Sequence, residues 1–232
     1  MFPILGNKVG LSQRVVNEIQ KLIVDGQLEP GTKLPPERDL AEQIGVSRTV
    51  IREAVRMLVT KGLLDTRPGI GTIVRQVTSD QIIEPLNLLL QTQNVSMEHL
   101  HQVRSILEVE IAGLAALEAT EEDITSLKQI MIEMEAVKND PEAFVDKDND
   151  FHQGLAKTTH NPLLIILLDS IRDLMREVRL RVYHYPDLFA RVVPDHYTIL
   201  EQVSAKNRVG ARQAMQEHLD HARAIQVQVL GQ

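Results

Sequence analysis

The sequence of 232 residues contains no cysteine. Disulfide bridges and thiolate metal sites are therefore excluded, and a reducing compartment such as the cytoplasm is permitted. Long apolar runs are also lacking, since the longest wholly aliphatic run, Leu163 to Leu168, is far too short to cross a bilayer. The opening residues 1–5 lack the basic start and the full apolar stretch of a signal peptide. We therefore expect a cytoplasmic protein with no membrane partner.

An overall excess of positive charge is missing too, because the formal net charge is −7. The charge is distributed unevenly, however. Residues 1–78 hold 11 Lys and Arg against 8 Asp and Glu, a net charge of +3, whereas the remaining residues hold 14 against 24, a net charge of −10. This asymmetry indicates a part that faces nucleic acid joined to an acidic part, although a solvated acidic helical domain would give similar numbers.

The first 75 residues carry the pattern of three helices followed by a hairpin. Amphipathic spacing predicts helices at about 10–25, 36–44 and 48–61. Gly45 ends the second helix, and Ser47 is a natural N-cap for the third. Short β-branched and aliphatic segments at 63–66 and 72–75 flank a glycine-rich tip, which predicts two strands. This order is typical of a winged helix-turn-helix, a DNA-binding domain.

The third predicted helix has the residues that a recognition helix needs. Arg48, Arg52 and Arg56 recur every four residues and so share one face, opposite the apolar stripe of the same helix. Guanidinium groups on such a face can reach phosphates or the edge of guanine in the major groove. The alternative interpretation of these arginines alone is a solvated basic face. The turn before the helix and the hairpin after it favour DNA binding.

Two stretches of this region resemble the GntR family of regulators. They are residues 34–41, LPPERDLA, and residues 45–58, GVSRTVIREAVRML, and residues 62–72 continue the pattern into the hairpin. The resemblance implies a homodimer that binds double-stranded operator DNA at a short inverted repeat. The DNA contacts that it implies are Arg38, Arg48 and Arg52, supported by Ser47, Thr49 and Gly69.

Beyond residue 79 the sequence gives helical patterns and no further strand signal. Helices are predicted near 80–93, 97–119, 121–138, 141–159, 163–183, 192–206 and 208–229. The expected fold is therefore mainly α. A winged helix-turn-helix of three helices and a β-hairpin wing would occupy residues 1–76, and an all-α antiparallel helical bundle would occupy residues 77–232.

The second part resembles the FCD effector domain found in the FadR-type branch of the same family. The residues that carry the resemblance are 103–108, 148–152, 160–163, His196 and 217–218. In metal-binding FCD proteins the ligand positions match Asp148, His152, His196 and His218 of this chain. The resemblance also implies that Arg104 faces the effector pocket, where a small carboxylate would bridge this guanidinium and the metal.

The spacing of the same four residues supports a metal site. Asp148 and His152 are four residues apart on one predicted helix, and so they point the same way. His196 and His218 each lie 11 residues from Asn207, between two consecutive helices, so in an antiparallel hairpin they reach similar heights. One carboxylate and three imidazoles suit a divalent metal ion, with Zn²⁺ favoured and Ni²⁺ or Mn²⁺ as alternatives.

Several alternatives remain at this point. Asp146, Asp148 and Asp150 alternate as at the start of an EF-hand, but that loop's glycine and final glutamate are missing, which excludes calcium there. His221 is one turn from His218 and could replace it as a ligand. Arg104 could instead pair with Glu108.

Three functional hypotheses follow. The first is a repressor or activator controlled by a small organic acid, and the second is a regulator for which the metal is the signal. The third is a metal-dependent enzyme with a DNA-binding appendage, in which Asp150 or Glu108 would act as the base.

Overall fold

The computed structural model describes residues 10–78, 80–92, 95–186 and 188–231, and these residues are mostly helical. The helices are α1 (Leu11–Val24), α2 (Glu37–Ile44), α3 (Arg48–Thr60), α4 (Asp80–Thr92), α5 (Met97–Glu118), α6 (Glu121–Ala136), α7 (Pro141–Thr158), α8 (Pro162–Asp169), α9 (Arg172–Val182), α10 (Leu188–Ser204) and α11 (Arg208–Leu230). The strands are β1 (Leu64–Arg67) and β2 (Gly71–Val74). The predicted fold class is confirmed.

Contacts between Cα atoms divide the chain into two compact units, Met1–Gln81 and Ile82–Gln232. The domain boundary predicted at residue 76 stays a prediction. Residue 93, the predicted end of the fourth helix, lies outside the described residues. Among the described helices, none is both long enough and apolar enough to cross a membrane.

The N-terminal unit is built around the apolar stripe of α3. Ile51, Ala54 and Leu58 are fully buried and pack against α1 and α2. The turn between α2 and α3 begins at Gly45, whose φ of 75° is the left-handed conformation that ends a helix. Ser47 then caps α3, because its side chain accepts a hydrogen bond from the backbone N–H of Val50. The predicted helix-turn-helix is therefore present.

The hairpin that follows α3 is tied to the segment before α2. β1 and β2 pair antiparallel, with Leu64 opposite Val74 and Arg67 opposite Gly71. The backbone N–H of Leu34 donates to the carbonyl of Thr72, and an isolated bridge extends the pairing. This anchoring fixes the base of the wing, while its tip at residues 68–70 is exposed.

The C-terminal unit is a helical bundle with one continuous apolar core. Helix α5 packs against α11, α11 packs against α10, and α7 packs against α6 and α5. A side chain at Gly154 would meet Leu127 of α6 at 2.7 Å, so the glycine lets α7 approach α6 closely. A short turn at residues 205–207 joins α10 to α11, and Asn207 caps α11 through the N–H of Gly210. This geometry places residues of α7, α10 and α11 around one interior point.

Two predicted helix boundaries were wrong. The single helix predicted over 163–183 is two helices, α8 and α9, separated at Ser170 and Ile171. The hydroxyl of Ser170 donates to the carbonyl of Leu167, and Ile171 leaves helical geometry while its side chain stays buried. The predicted helix at 192–206 begins earlier, at Leu188, and contains Pro194 in its interior. Apolar periodicity did not register either the break or the earlier start.

Candidate metal centre and nucleic-acid interface

One face of α3 presents three guanidinium groups to solvent. Arg48, Arg52 and Arg56 are all exposed, on the side opposite the buried stripe. Nε of Arg52 lies 3.1 Å from Glu37 of α2, and Nε of Arg38 lies 3.0 Å from Asp39. Both pairs lie at the surface, where an ion pair is worth about 0–1 kcal/mol. A DNA phosphate or base edge can replace such a partner at little cost.

The other predicted DNA contacts lie at the start of α3 and on the wing. Ser47 and Thr49 are exposed in the first turn, and the Ser47 hydroxyl, which accepts from Val50, still has a proton to donate. Gly69 is exposed at the tip of the wing, with a φ of 76° and no atom within 4 Å of a would-be side chain. The tip is therefore open to a close approach.

Three of the four predicted metal ligands meet inside the C-terminal unit. His152 of α7, His196 of α10 and His218 of α11 are buried, and one ring nitrogen from each lies within 4.8 Å of the others. Asp148 borders this group: its Oδ1 lies 3.5 Å from Nε2 of His196, and its Oδ2 lies 4.0 Å from Nε2 of His152. His221 lies outside the group and is paired with Asp195 at 2.9 Å.

The electrostatics of the group suit a divalent metal ion. Burial lowers the pKa of His196 well below its ordinary value, and the neighbouring His218 lowers it further. Burial likewise lowers the pKa of His152, against the opposing effect of Glu108. Burial alone would raise the pKa of Asp148, but Arg179 and the histidines outweigh it and hold that pKa below its ordinary value. Neutral imidazoles and an ionised carboxylate are the forms that bind metals.

Unpartnered atoms in the group point the same way. Both ring nitrogens of His196, both of His152 and Nδ1 of His218 are buried and have no hydrogen-bond partner among the described residues. Buried polar atoms are almost always hydrogen-bonded, because leaving one unpaired costs free energy. A metal ion coordinated by one nitrogen of each ring would remove that cost for the coordinated atoms. Three imidazoles with an adjacent carboxylate therefore fit Zn²⁺, Ni²⁺ or Mn²⁺.

Arg104 is buried beside the group and already has an internal partner. Its Nε donates to Oε1 of Glu108 at 2.5 Å, and its Nη2 donates to Oε2 at 3.4 Å. The alternative pairing expected from the sequence is thus formed. The two protons on Nη1 take no part in this pair. Because Arg104 also lines a cavity next to His218, it can still meet an anion there.

That cavity has a volume of about 40 Å³. A site for one water needs roughly 10–15 Å³ on this measure, so the cavity suits a ligand of only a few heavy atoms. Arg104, Asp148, Arg179, His218 and Gln226 provide its polar wall. The remaining lining residues are apolar: Phe144, Val145, Val182, Leu188, Val192, Ala222 and Ile225.

The sequence interpretation did not single out Arg179. Its guanidinium contacts the carboxylate of Asp148 and the side chain of Asn149, and its side chain is 13% exposed. Two other arginines of α9 lie elsewhere. Arg176 pairs with Asp146 and Glu142 at the surface, and Arg172 lines a separate, smaller cleft. The contact of Arg179 with Asp148 joins α9 to α7, so no local spacing in the sequence could have identified it.

Comparison with known proteins gives a consistent result. The FCD domain matches residues 99–221, and the group described as bacterial regulatory proteins, gntR family, matches residues 11–74. An Escherichia coli K12 protein, named as a proposed L-lactate dehydrogenase operon regulatory protein, is 34% identical over 218 residues, 90% of this chain and 83% of its own length. The HTH-type transcriptional regulator LutR of Bacillus subtilis is 32% identical over 209 residues, 88% and 95% of the two chains.

A solved structure has a similar fold. Streptococcus agalactiae GntR superposes with a TM-score of 0.71 and 27% sequence identity, over 92% of this chain and 99% of that one. The likeness extends over both the helix-turn-helix and the helical bundle.

Proposed function

This chain belongs to the GntR family of bacterial regulatory proteins and carries an FCD domain, and from that premise we propose that a small organic acid controls its DNA binding through a metal ion in the helical unit. The chain is a DNA-binding transcriptional regulator. The observation that supports the finer proposal is the buried group of His152, His196 and His218 beside Asp148.

Charge balance supports an anionic effector. The charged side chains around the histidines are two guanidiniums, Arg104 and Arg179, and three carboxylates, Glu108, Asp148 and the partly exposed Asp195 beside His218. With neutral imidazoles these charges sum to −1, so a divalent ion would leave one uncompensated positive charge in the interior. Such a charge is costly unless it is paired. A small carboxylate in the adjoining cavity would compensate it, with Arg104 as its second partner.

The metal would be held by Asp148, His152, His196 and His218, with Zn²⁺ as the favoured ion. When bound, it would supply positive charge and an open coordination position for the effector carboxylate. The residues of this chain would then select the effector. Arg104 would fix its second oxygen, and the apolar wall around Phe144 and Val192 would exclude larger or polyhydroxylated acids.

For the N-terminal unit we propose that Arg38, Arg48 and Arg52 contact the operator, with Ser47, Thr49 and Gly69 in support. Their exposure on α2, α3 and the wing supports this role. We also propose that the chain acts in the cytoplasm as a homodimer on an inverted repeat. A two-fold dimer places two recognition helices in successive major grooves about one helical turn apart. Light scattering of the free protein and footprinting of its operator complex test these two points.

A thermal-shift screen tests the effector proposal. Metal-loaded and metal-stripped protein would be heated with short carboxylates, beginning with L-lactate because the name of one relative includes it. We expect the effective acid to raise the melting temperature only when metal is present. An equal rise in stripped protein, or in the His152→Ala variant, would contradict the proposal.

A regulator for which the metal itself is the signal is the second candidate, and the same buried histidines favour it. Titration of operator affinity with Zn²⁺ alone separates the two. A full response without any acid would favour the metal as signal. A response that requires the acid, and leaves the acid chemically unchanged, would favour the effector-controlled regulator over both this candidate and an enzyme.

A further inference from the structure

One of the three imidazoles, that of His152, contacts a buried carboxylate that is itself paired with an arginine. Glu108 of α5 is 2% exposed, and its two oxygens differ in their nearest neighbours. Oε1 accepts from Nε of Arg104 at 2.5 Å, whereas Oε2 accepts a longer bond from Nη2 of Arg104, at 3.4 Å, and lies 2.5 Å from Nδ1 of His152 on α7. This distance is within hydrogen-bond range, but Nδ1 of His152 makes no hydrogen bond of acceptable geometry with the described residues. Arginine, glutamate and histidine thus form a buried chain that ends at a proposed metal ligand.

The chemistry of this chain fixes which histidine nitrogen is free. Arg104 can only donate hydrogen bonds, and an ionised carboxylate can only accept them. Glu108 acts as the carboxylate of a buried ion pair, since both of its oxygens accept from the guanidinium of Arg104. The proton of a neutral His152 is therefore favoured on Nδ1, next to Oε2. Its lone pair is then on Nε2, the nitrogen nearest Asp148.

We propose that Glu108 is a positioning residue of the metal centre: its carboxylate, held by Arg104, keeps the proton of His152 on Nδ1 and presents Nε2 to the metal ion. Histidine ligands commonly donate their second N–H to a carboxylate, which sets the tautomer and the ring orientation. The inference rests on the proposed metal site, and it gives Arg104 a role that does not require an effector.

The rings of the other two histidines, His196 and His218, have no carboxylate contact as short as that of His152. Nδ1 of His218 lies 3.6 Å from Oδ2 of Asp195, and that oxygen is closer to His221, at 2.9 Å. His196 stacks on the ring of Phe151 with centroids 4.4 Å apart, and its nitrogens have no hydrogen-bond partner among the described residues. The buried contact of Glu108 is therefore the tightest carboxylate–imidazole contact around the three histidines.

Glu108→Gln tests the inference because an amide has one acceptor end and one donor end. Arg104 only donates, so the amide oxygen must turn to Arg104 and the NH₂ group must face His152. Nδ1 of His152 then has to accept, which moves the proton to Nε2, the nitrogen meant for the metal. We expect Zn²⁺ affinity to fall by about 10- to 100-fold, the usual effect of losing an outer partner of a ligand.

The tautomer can be measured directly in the metal-free full-length protein. Long-range ¹H–¹⁵N spectra of ¹⁵N-histidine-labelled protein distinguish protonated from unprotonated ring nitrogens. We expect Nδ1–H at His152 in the wild type and Nε2–H in Glu108→Gln. Competition with a chromogenic chelator gives the Zn²⁺ affinity of the same samples. The matched control is Glu110→Gln on the same helix, whose carboxylate pairs with Arg212 at 2.7 Å, and both readouts should stay at wild-type values.

A second variant covers the case in which Glu108→Gln fails to fold. Glu108→Asp keeps a negative charge beside Arg104 but withdraws the oxygens from His152 by one methylene, so it should fold and lose tautomer control. The inference would be overturned if both folded variants, or Glu108→Asp alone, kept the wild-type tautomer of His152 and the wild-type Zn²⁺ affinity. If the wild-type protein carries the proton on Nδ1 of His152 but binds no Zn²⁺, the proposed function would be overturned instead. The effect of Glu108 on the tautomer of His152 would then still be supported.

Discussion

The two units of this protein place their arginines in opposite environments. In the N-terminal unit, Arg38 and Arg52 lie at the surface, with side chains 76% and 52% exposed, beside acidic neighbours. In the C-terminal unit, Arg104 and Arg179 are enclosed with Glu108 and Asp148, and Arg104 is only 4% exposed. Breaking an ion pair of the same kind therefore costs a different free energy in each unit.

Because of this difference, the surface arginines can exchange their acidic partners for DNA, whereas the buried arginines keep the carboxylates they are paired with. An exposed pair contributes about 0–1 kcal/mol, so a DNA phosphate can replace Glu37 or Asp39 at little cost. Removing one partner of a buried pair instead leaves a desolvated charge and costs roughly 3–5 kcal/mol. The N-terminal arginines can thus exchange their acidic partners for a new ligand, whereas the C-terminal ones keep theirs, and a ligand of Arg104 would have to use the N–H groups that Glu108 leaves free.

The largest expected effect is that of Arg179→Met in metal-free protein. The variant leaves the Asp148 carboxylate buried without its guanidinium, so the free energy of unfolding should fall by roughly 3–5 kcal/mol. Arg176→Met on the same helix is the matched control. Because Arg176 pairs with Asp146 and Glu142 at the surface, its loss should cost about 0–1 kcal/mol. Urea denaturation in the presence of a chelator measures both, and equal losses would contradict the comparison.

Metal binding is expected to stabilise one unit and not the other. At a free Zn²⁺ concentration of about 100 times its Kd, a site present only in the folded state gains about 2.7 kcal/mol. Hydrogen exchange should show this gain in α7, α10 and α11, which carry the histidines, and not in α1 to α3.

His218→Ala is the control for the metal prediction, since it removes one imidazole from the group. Protection that spreads equally over both units would argue against a metal site confined to the bundle. Slower hydrogen exchange with Zn²⁺ that persists in His218→Ala would also argue against this site.

Alanine substitutions on α3 are expected to act on DNA affinity alone. Arg48→Ala and Arg52→Ala should each weaken specific binding by about 1–3 kcal/mol if the side chain reads a base edge. Fluorescence anisotropy with a duplex selected by the wild-type protein, and with a scrambled duplex, measures the loss. Arg181→Ala is the control, because this arginine is equally exposed but belongs to the C-terminal unit. Normal affinity in both α3 variants would contradict the recognition-helix assignment.

How well sequence predicts structure also differs between the units. In the N-terminal unit the signals are local: the apolar stripe of α3, the left-handed Gly45 and the Ser47 cap each act within a few residues. Helix boundaries there were predicted to within one or two residues. The break between α8 and α9 was missed because Ser170 and Ile171 fit the helical pattern, and their departure from it depends on burial of Ile171 in the bundle.

For the candidate site, helical spacing predicted two pairs of residues, and the resemblance to FCD domains joined the pairs into one site. Asp148 and His152 share a face of α7, and the turn at Asn207 sets His196 opposite His218. The pairing of Glu108 with Arg104 was among the alternatives that the sequence offered, but the contacts of Arg179 with Asp148 and of Glu108 with His152 could not be predicted in the same way. Both contacts join residues of different helices more than 30 positions apart in the chain, where local spacing carries no information.

The smallest expected effects concern two helix caps, one in each unit. Ser47→Ala and Asp123→Ala should each lower the free energy of unfolding by about 0.5–1 kcal/mol at neutral pH, because each side chain accepts a hydrogen bond from a backbone N–H at a helix start.

The pH dependence of these two costs should differ. Burial raises the pKa of Asp123, but hydrogen bonds from Thr120 and the charge of His160 outweigh it and lower that pKa in the folded state. A carboxylate of this kind stabilises the fold above its ordinary pKa of 3.8 and loses that effect as the pH falls through the folded-state value. Urea denaturation across this range should therefore show the cost of Asp123→Ala shrinking with acidity, while that of Ser47→Ala stays constant. A constant cost for both would mean that the Asp123 carboxylate contributes by its shape and not by its charge.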